Sequence, residues 1–393
     1  MNVLAGLRVL DFGRYIAGPY CAHLLGELGA EVIRIERPGG GEDRFLLPIV
    51  DSGEGAMFMQ MNGNKKGVTL DIGSKTGKEI IQQLVKSADI VVVNMPNNFL
   101  TRLGLDYTTL KAIKADIILV TNSAFGNVGP WGEKPGFDGI GQTMSGAAWF
   151  SGHPGKPAKA AVTYIDYASA LSATIGTLAA VMHRQQTGKG QLVETALLAT
   201  GLTLNASNLT EQAMLQIDRE PTGNRAQAAA PADIFDTADG HIIIQVVGPY
   251  IFKRLAIMFN HPEWLEDERF ADDTRRGEAR DFLCAEVARW AAGQTTAEAL
   301  AKLESNRVPA GPILSFQEAL DHPAVQALDH FQLTPFAGSA EPVQIAKPPF
   351  KMSGNGQSNP IPPPTVGQHT EEILLQLGYD QKEIAALREQ KII

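Results

Sequence analysis

The stretch RVLDFGRYIAGPYCAHLLGELGAEVIRIE, Arg8 to Glu36, reads as strand, helix and strand. Arg8 to Phe12 is a short apolar run suited to a buried strand. Gly13 to Gly18 is a loop. Pro19 stands at a predicted first helical position, and Tyr20 to Leu28 supplies a helix that Gly29 ends. Glu31 to Glu36 is the second strand. Such a βαβ unit implies parallel strands joined by a right-handed crossover. Its loop, Gly13-Arg14-Tyr15-Ile16-Ala17-Gly18, lacks the G-x-G-x-x-G pattern that lets a backbone approach a dinucleotide pyrophosphate.

The alternation continues outward. Val68 to Asp71 reads as a strand, Lys75 to Lys86 as a helix, Asp89 to Asn94 as a buried strand, Tyr107 to Ile113 as a helix and Asp116 to Asn122 as a strand. This predicts a Rossmann-like α/β fold, an open parallel sheet with helices on both faces. Ligands of such sheets sit at the carboxyl ends of the strands. Glu36 holds the position of a ribose contact, but Arg37 follows it directly. A cation there suits a ribose phosphate, such as the 3′-phosphate of coenzyme A, better than a bare hydroxyl. From about Ala229 the texture changes. Asp233 to Thr237 and His241 to Val247 flank Ala238-Asp239-Gly240 as a hairpin, and charged helical segments follow. The expected division is a large domain from 1–225 and 312–393 and a small α+β domain from 226–311. The tail carries a proline-rich stretch, Pro360 to Pro364, and a capping box at Asp380 to Glu383.

One further stretch carries a candidate for chemistry. Ala161 to Ala196 places Asp166 at the head of a helix with no charge from Tyr167 to Met182. Alanine, leucine, isoleucine and threonine fill it, so burial on nearly all sides is expected. Thr187-Gly188-Lys189-Gly190 stops it and a β-prone run, Gln191 to Thr195, follows. Taken alone, Asp166 reads as a helix cap, stabilised by the free N–H groups there.

Asp166, Arg184 and Thr187-Gly188-Lys189-Gly190-Gln191 together resemble the pattern of the family III CoA-transferases, a fold shared with the 2-methylacyl-CoA racemases. The resemblance runs from Leu4 to the C-terminus. It implies an acyl-CoA:carboxylate CoA-transferase with Asp166 as nucleophile and coenzyme A as the only cofactor, arriving as acyl-CoA, with no metal or prosthetic group. It implies CoA contacts at Arg14, Tyr15, Ile16, Ala17, Arg37, Lys65, Lys66, Asn94, Met95, Arg102 and Lys134. Taken singly, each lysine also reads as solvated surface. The implied assembly is a homodimer of interlocked chains, an exception to unthreaded topology. The racemases carry a His in Gly-His-Asp. Here the motif is Gly136-Phe137-Asp138, and Phe cannot move a proton. Where the family carries a glycine-rich loop, Asn224 to Pro231 is alanine-rich, and no catalytic residue is assigned there.

Composition bounds these readings. Net charge is −9 over 393 residues, which argues against nucleic acid or an anionic membrane as partner. Any anionic ligand must then be met by local Lys and Arg. Cys21 and Cys284 stand in no metal or redox spacing, as expected of a cytoplasmic protein. No signal peptide is indicated, and Tyr167 to Met182 is short for a bilayer span. A carboxylate nucleophile fits the implied reaction. Its mixed anhydride matches a thioester in reactivity, and an Asp of ordinary pKa near 3.9 needs no base. A 2-methylacyl-CoA racemase and a non-catalytic CoA-binding protein are the alternatives.

Overall fold

The computed structural model describes residues 2–354 and 361–393, so Pro360 of the proline-rich stretch lies outside it. The chain divides into two compact units. The first comprises Met1–Ala147, Ala160–Gln216 and Asp329–Ile393, and the second Ala148–Lys159 and Ile217–Leu328.

The first unit opens with β1 (Arg8–Asp11), α1 (Ala17–Glu27), β2 (Glu31–Glu36), α2 (Ala56–Met61) and β3 (Lys65–Thr69). It continues with α3 (Lys75–Ser87), β4 (Ile90–Val93), α4 (Asn97–Leu103), α5 (Tyr107–Ile113), β5 (Ile118–Ser123) and α6 (Asp138–Met144). After α7 (Ala147–Phe150), which falls almost wholly in the second unit, the first unit resumes with α8 (Tyr164–Thr187), β6 (Leu192–Ala196), α9 (Leu197–Leu204) and α10 (Ala206–Leu215). The strands form one parallel sheet in the order β3-β2-β1-β4-β5-β6. The order reverses between β1 and β4, and a crevice is expected there at the carboxyl ends.

Successive residues of each strand point to opposite faces, and each face has its own core. Leu10, Ile33, Val91, Val93 and Leu119 pack with Ile80 and Leu84 of α3 and Leu110 of α5. Val9, Val32, Val92, Ile118 and Val120 pack with Leu24 and Leu25 of α1 and Ala170, Ala173 and Val181 of α8. The chain's end returns to the first of these cores through Ile373 and Leu374, Ile384 and Leu387.

Three expectations change. β3 starts at Lys65 rather than Val68, because pairing with β2 sets Val32 against Lys65 and Ile33 against Lys66. α8 begins at Tyr164, so Asp166 lies inside its first turn, and at 24 residues it is long enough to span a bilayer. It is nevertheless a packed helix on one side, whereas Leu171, Ile175 and Met182 are 38%, 69% and 61% exposed. The expected burial on nearly all sides is thus not met. α10 has no buried residue in this chain.

The second unit contains β7 (Ala232–Asp236) and β8 (His241–Gln245), an antiparallel hairpin extended by β9 (Ala310–Pro312). Phe235, Ile242, Ile244, Phe252, Trp264, Leu283 and Val287 fill its core. This unit is wider than the 226–311 stretch. Arg225 pairs with Asp233 and Asp281, and the Ile313 N–H continues the ladder to the His241 carbonyl. Ala230, in the alanine-rich segment, is part of that core.

Candidate active site

Loops at the carboxyl ends of β1, β4 and β5 enclose a cavity of about 230 Å³ in the first unit. It is lined by Arg14, Tyr15, Ile16 and Ala17, by Asn94, Met95 and Pro96, and by Asn122, Ser123 and Ala124. Lys134, Gly136, Phe137 and Asp166 complete the walls. A second cavity of about 170 Å³ is lined by Arg37, Glu36, Phe12, Ile35, Leu70, Asp71, Ile72, Arg14 and Met95. Arg14 and Met95 border both. The larger hollow of about 570 Å³ is an open depression on the second unit, bordered by Glu268, Arg269, Arg275 and Glu278, and holds none of the expected site residues.

Asp166 is not a cap. The capping group of α8 is Asp138, whose Oδ2 accepts from the N–H of Ile165 at 2.8 Å and of Asp166 at 3.2 Å. Gln142 Nε2 holds the other Asp138 oxygen at 2.5 Å. Asp138 therefore takes the helix N–H groups that would stabilise an ionised Asp166. Partial burial, and then the Asp138 charge, push the Asp166 carboxyl up to about 7. This corrects the expectation of an ordinary, fully ionised carboxylate at neutral pH. Two other carboxylates of this unit are engaged. Asp138 is buried in the cap, and Asp11 is buried against Lys65 and the Gly13 N–H.

The loop after β1 is held from several sides. Asn94 Oδ1 accepts from the Arg14 N–H at 2.8 Å, and Nδ2 donates to the Arg14 carbonyl at 2.6 Å. Asp43 accepts from Arg14 Nε at 3.2 Å and from the Tyr15 N–H at 3.4 Å. Buried Arg34 donates to Asp43 at 2.8 Å and to the Gly13 carbonyl at 3.2 Å. These bonds hold Tyr15 at φ 62°, a left-handed conformation unfavourable to a residue with a bulky side chain. Its ring meets Phe137 edge to face at 5.5 Å.

Several expected CoA contacts are thereby reassigned. Both polar groups of the Asn94 amide are spent on Arg14, so Asn94 shapes the cavity rather than offering a free amide. Lys65 is buried, with its Nζ 2.7 Å from Asp11 Oδ2 and 2.8 Å from the Pro19 carbonyl, and has no access to a phosphate. Burial pushes its ammonium down to about 8 against the pull of Asp11. Lys66 pairs with Glu31 and Glu372 at the amino end of β3, away from the carboxyl edge. Glu36 is buried against Arg44 at 2.5 Å and offers nothing to a ribose. Arg102 lines neither cavity and lies over the Phe99 ring at 4.3 Å. Arg37 borders the second cavity and Lys134, 3.7 Å above the Trp131 ring, borders the first. Asn122 was not anticipated as a site residue. Its position at the carboxyl end of β5 was the available signal.

Comparison with known proteins shows the family. The profile of CoA-transferase family III matches residues 4–370. The chain belongs to CoA-transferase family III. The family member succinyl-CoA–D-citramalate CoA-transferase of Chloroflexus aurantiacus is 31% identical, with 99% of this chain and 98% of that protein covered. Succinate–glutarate CoA-transferase of Agrobacterium fabrum is also 31% identical, with 95% of each covered. A crystal structure of a CaiB/BaiF family protein from Brucella suis matches with a TM-score of 0.83 at 29% identity, over 95% of this chain and 99% of that one.

Within the family fold, Lys65 provides a test of the reassignment. Lys65→Ala leaves Asp11 buried without its counter-charge, which costs about 3–5 kcal/mol. The expected result is a lower melting temperature by several degrees, with free CoA affinity at a temperature where the variant is folded changed less than twofold. A tenfold loss of CoA affinity with unchanged stability would restore the phosphate role.

Proposed function

We propose that this family III enzyme transfers CoA between dicarboxylic acids, with Asp166 as the covalent carrier. Asp166 attacks the thioester carbonyl carbon, and the C–S bond breaks to release CoA thiolate and leave a mixed anhydride. The thiolate attacks the aspartyl carbonyl, the donor acid departs as its carboxylate, and an aspartyl-CoA thioester remains. The acceptor carboxylate then attacks that thioester, and the same thiolate completes the exchange at the acyl carbonyl, freeing Asp166. The observation that carries this reading is the half-buried Asp166, denied its own helix amides by Asp138 and facing a cavity with its carboxylate unpaired among the described residues.

Arg37 beside Phe12, Ile35, Leu70 and Ile72, though paired with Glu42 at 3.1 Å and sharing the cavity with Asp71, supports the second cavity as the site of the CoA nucleotide, a phosphorylated ribose next to an adenine ring. Lys134 in the first cavity supplies positive charge for carboxylates, whereas Arg14 at the junction is paired with Glu42 and Asp43. Cations on these walls disfavour a quaternary ammonium substrate. The relatives' names, pairing succinyl-CoA or succinate with citramalate or glutarate, support a dicarboxylate pair. Phe137, lining the cavity where a racemase base is needed, argues against racemisation.

The test is a matrix of acyl-CoA donors against free acids in deuterated water, with products separated by chromatography. Transfer from succinyl-CoA to a dicarboxylate, without α-deuterium in a 2-methylacyl-CoA, is expected. No transfer with any pair, or catalytic α-deuteration, overturns the reading. The exposed apolar residues of α8 and α10, including Ile175, Met182, Met214 and Leu215, also support a homodimer. Light scattering at micromolar concentration is expected to give twice the 42.2 kDa chain mass, and the mass of one chain sinks that part.

A further inference from the structure

Asn122 stands one residue before the end of β5, opposite Thr195 of β6 in the parallel register. Its side chain is 4% exposed, and it lines the same cavity as Asp166. The Thr195 hydroxyl lies within hydrogen-bond reach of both its Oδ1 and the Thr121 carbonyl, the latter at 3.1 Å. Its Nδ2 is buried and has no partner among the described residues. A buried donor without an acceptor costs about 1–3 kcal/mol, so such a group calls for an explanation. Asn94, from the neighbouring strand, shows the contrast, with both ends of its amide engaged.

Attack by Asp166 on a thioester places negative charge on the acyl oxygen while the C–S bond is still intact. An N–H group already fixed nearby stabilises that charge without reorganising at the moment of reaction. We infer that Asn122 is a further catalytic residue, whose Nδ2 donates a hydrogen bond to the acyl oxygen as Asp166 attacks. The inference rests on Asp166 being the nucleophile. The oxygen is then held between the Asn122 donor and the walls of the cavity. The proton stays on nitrogen throughout, and the charge returns to the carbonyl when the thiolate leaves with the C–S electron pair.

The experiment compares wild type with Asn122→Leu, which keeps bulk and removes the donor. A fall in kcat of about 10²- to 10³-fold is expected, as for loss of one oxyanion donor. KM for acyl-CoA is expected within about threefold of wild type, and the melting temperature unchanged or higher, since an unsatisfied donor is removed. A folded variant with kcat within threefold of wild type, or with the whole loss in KM, overturns the role. If Asn122→Leu does not fold, Thr195→Val takes its place. It removes the hydroxyl beside Oδ1 and is expected to lower kcat about tenfold at constant KM, and unchanged kcat again overturns the role. Hydroxylamine trapping with acyl-CoA separates the two levels of the argument. Wild-type trapping at Asp166 with equally fast trapping in Asn122→Leu defeats the Asn122 role alone, whereas no trapping in wild type defeats the nucleophile itself.

Discussion

Asp166→Asn is expected to lower CoA transfer by about 10⁴-fold or more while leaving the protein folded. The size follows from removing a covalent nucleophile, for which single knockouts in other enzymes cost factors of this order or larger. The fold survives because Asp166 does not cap α8. The cap is Asp138, which accepts from the Ile165 and Asp166 amides, and those amides persist in the variant. The variant is also expected to be more stable than wild type at high pH. Asp166 has its folded pKa raised to about 7, against about 3.9 unfolded, so the ionised group destabilises the folded state. The penalty is absent below pH 4, grows between pH 4 and 7, and is complete above. Allowing for partial exposure, Asp166→Asn recovers on the order of 1–3 kcal/mol at pH 8 and close to nothing at pH 4. Thermal melts at the two pH values and a single-turnover assay measure both effects. Activity within tenfold of wild type sinks the nucleophile assignment. A stability difference independent of pH sinks the electrostatic account.

The second large effect is on the pH profile. Only the carboxylate form of Asp166 attacks, so kcat/KM for acyl-CoA is expected to rise tenfold per pH unit below about 7 and to level off above it. Asp138 from α6 and Tyr167 from α8 itself interact with Asp166, Tyr164 lies near Asp138, and Arg14, Tyr15 and Lys134 line the same cavity. Burial holds Tyr164 and Tyr167 above their usual range, so both stay neutral here. After burial, Asp138 is the charge that raises Asp166. Asp138→Asn keeps an oxygen for the α8 amides and removes the charge. Its midpoint is expected to move to lower pH, so that relative to its own plateau it outperforms wild type at pH 6. The plateau itself is expected to fall, because a less basic carboxylate is a weaker nucleophile. A midpoint unmoved in Asp138→Asn rules out the coupling.

Much of this was legible in the chain. The alternation from Arg8 to Asn122 and the β-prone run after α8 carried the parallel sheet, because side-chain period and turn residues are local signals. Asp166 stood out because an acid heads a helix otherwise free of charge until Arg184. Local pattern does not reveal pairings across the chain. Lys65 and Asp11 lie 54 positions apart and meet only because β3 joins the sheet through β2. That register buried Lys65 and turned an expected phosphate contact into an internal ion pair. Asp138 and Asp166 are 28 apart, and no periodicity shows that one takes the amides of the other's helix. Asn94 and Asn122 look alike at the ends of neighbouring strands. One spends its amide on the Arg14 backbone, and the other, lining the cavity that Asp166 lines, keeps its nitrogen unpaired among the described residues. The sequence by itself determined which residues form strands and helices and which carboxylate to examine. The tertiary structure alone decided which charged and amide groups remain free to act, because a hydrogen-bonding group is spent or spared only by the neighbours that folding brings to it.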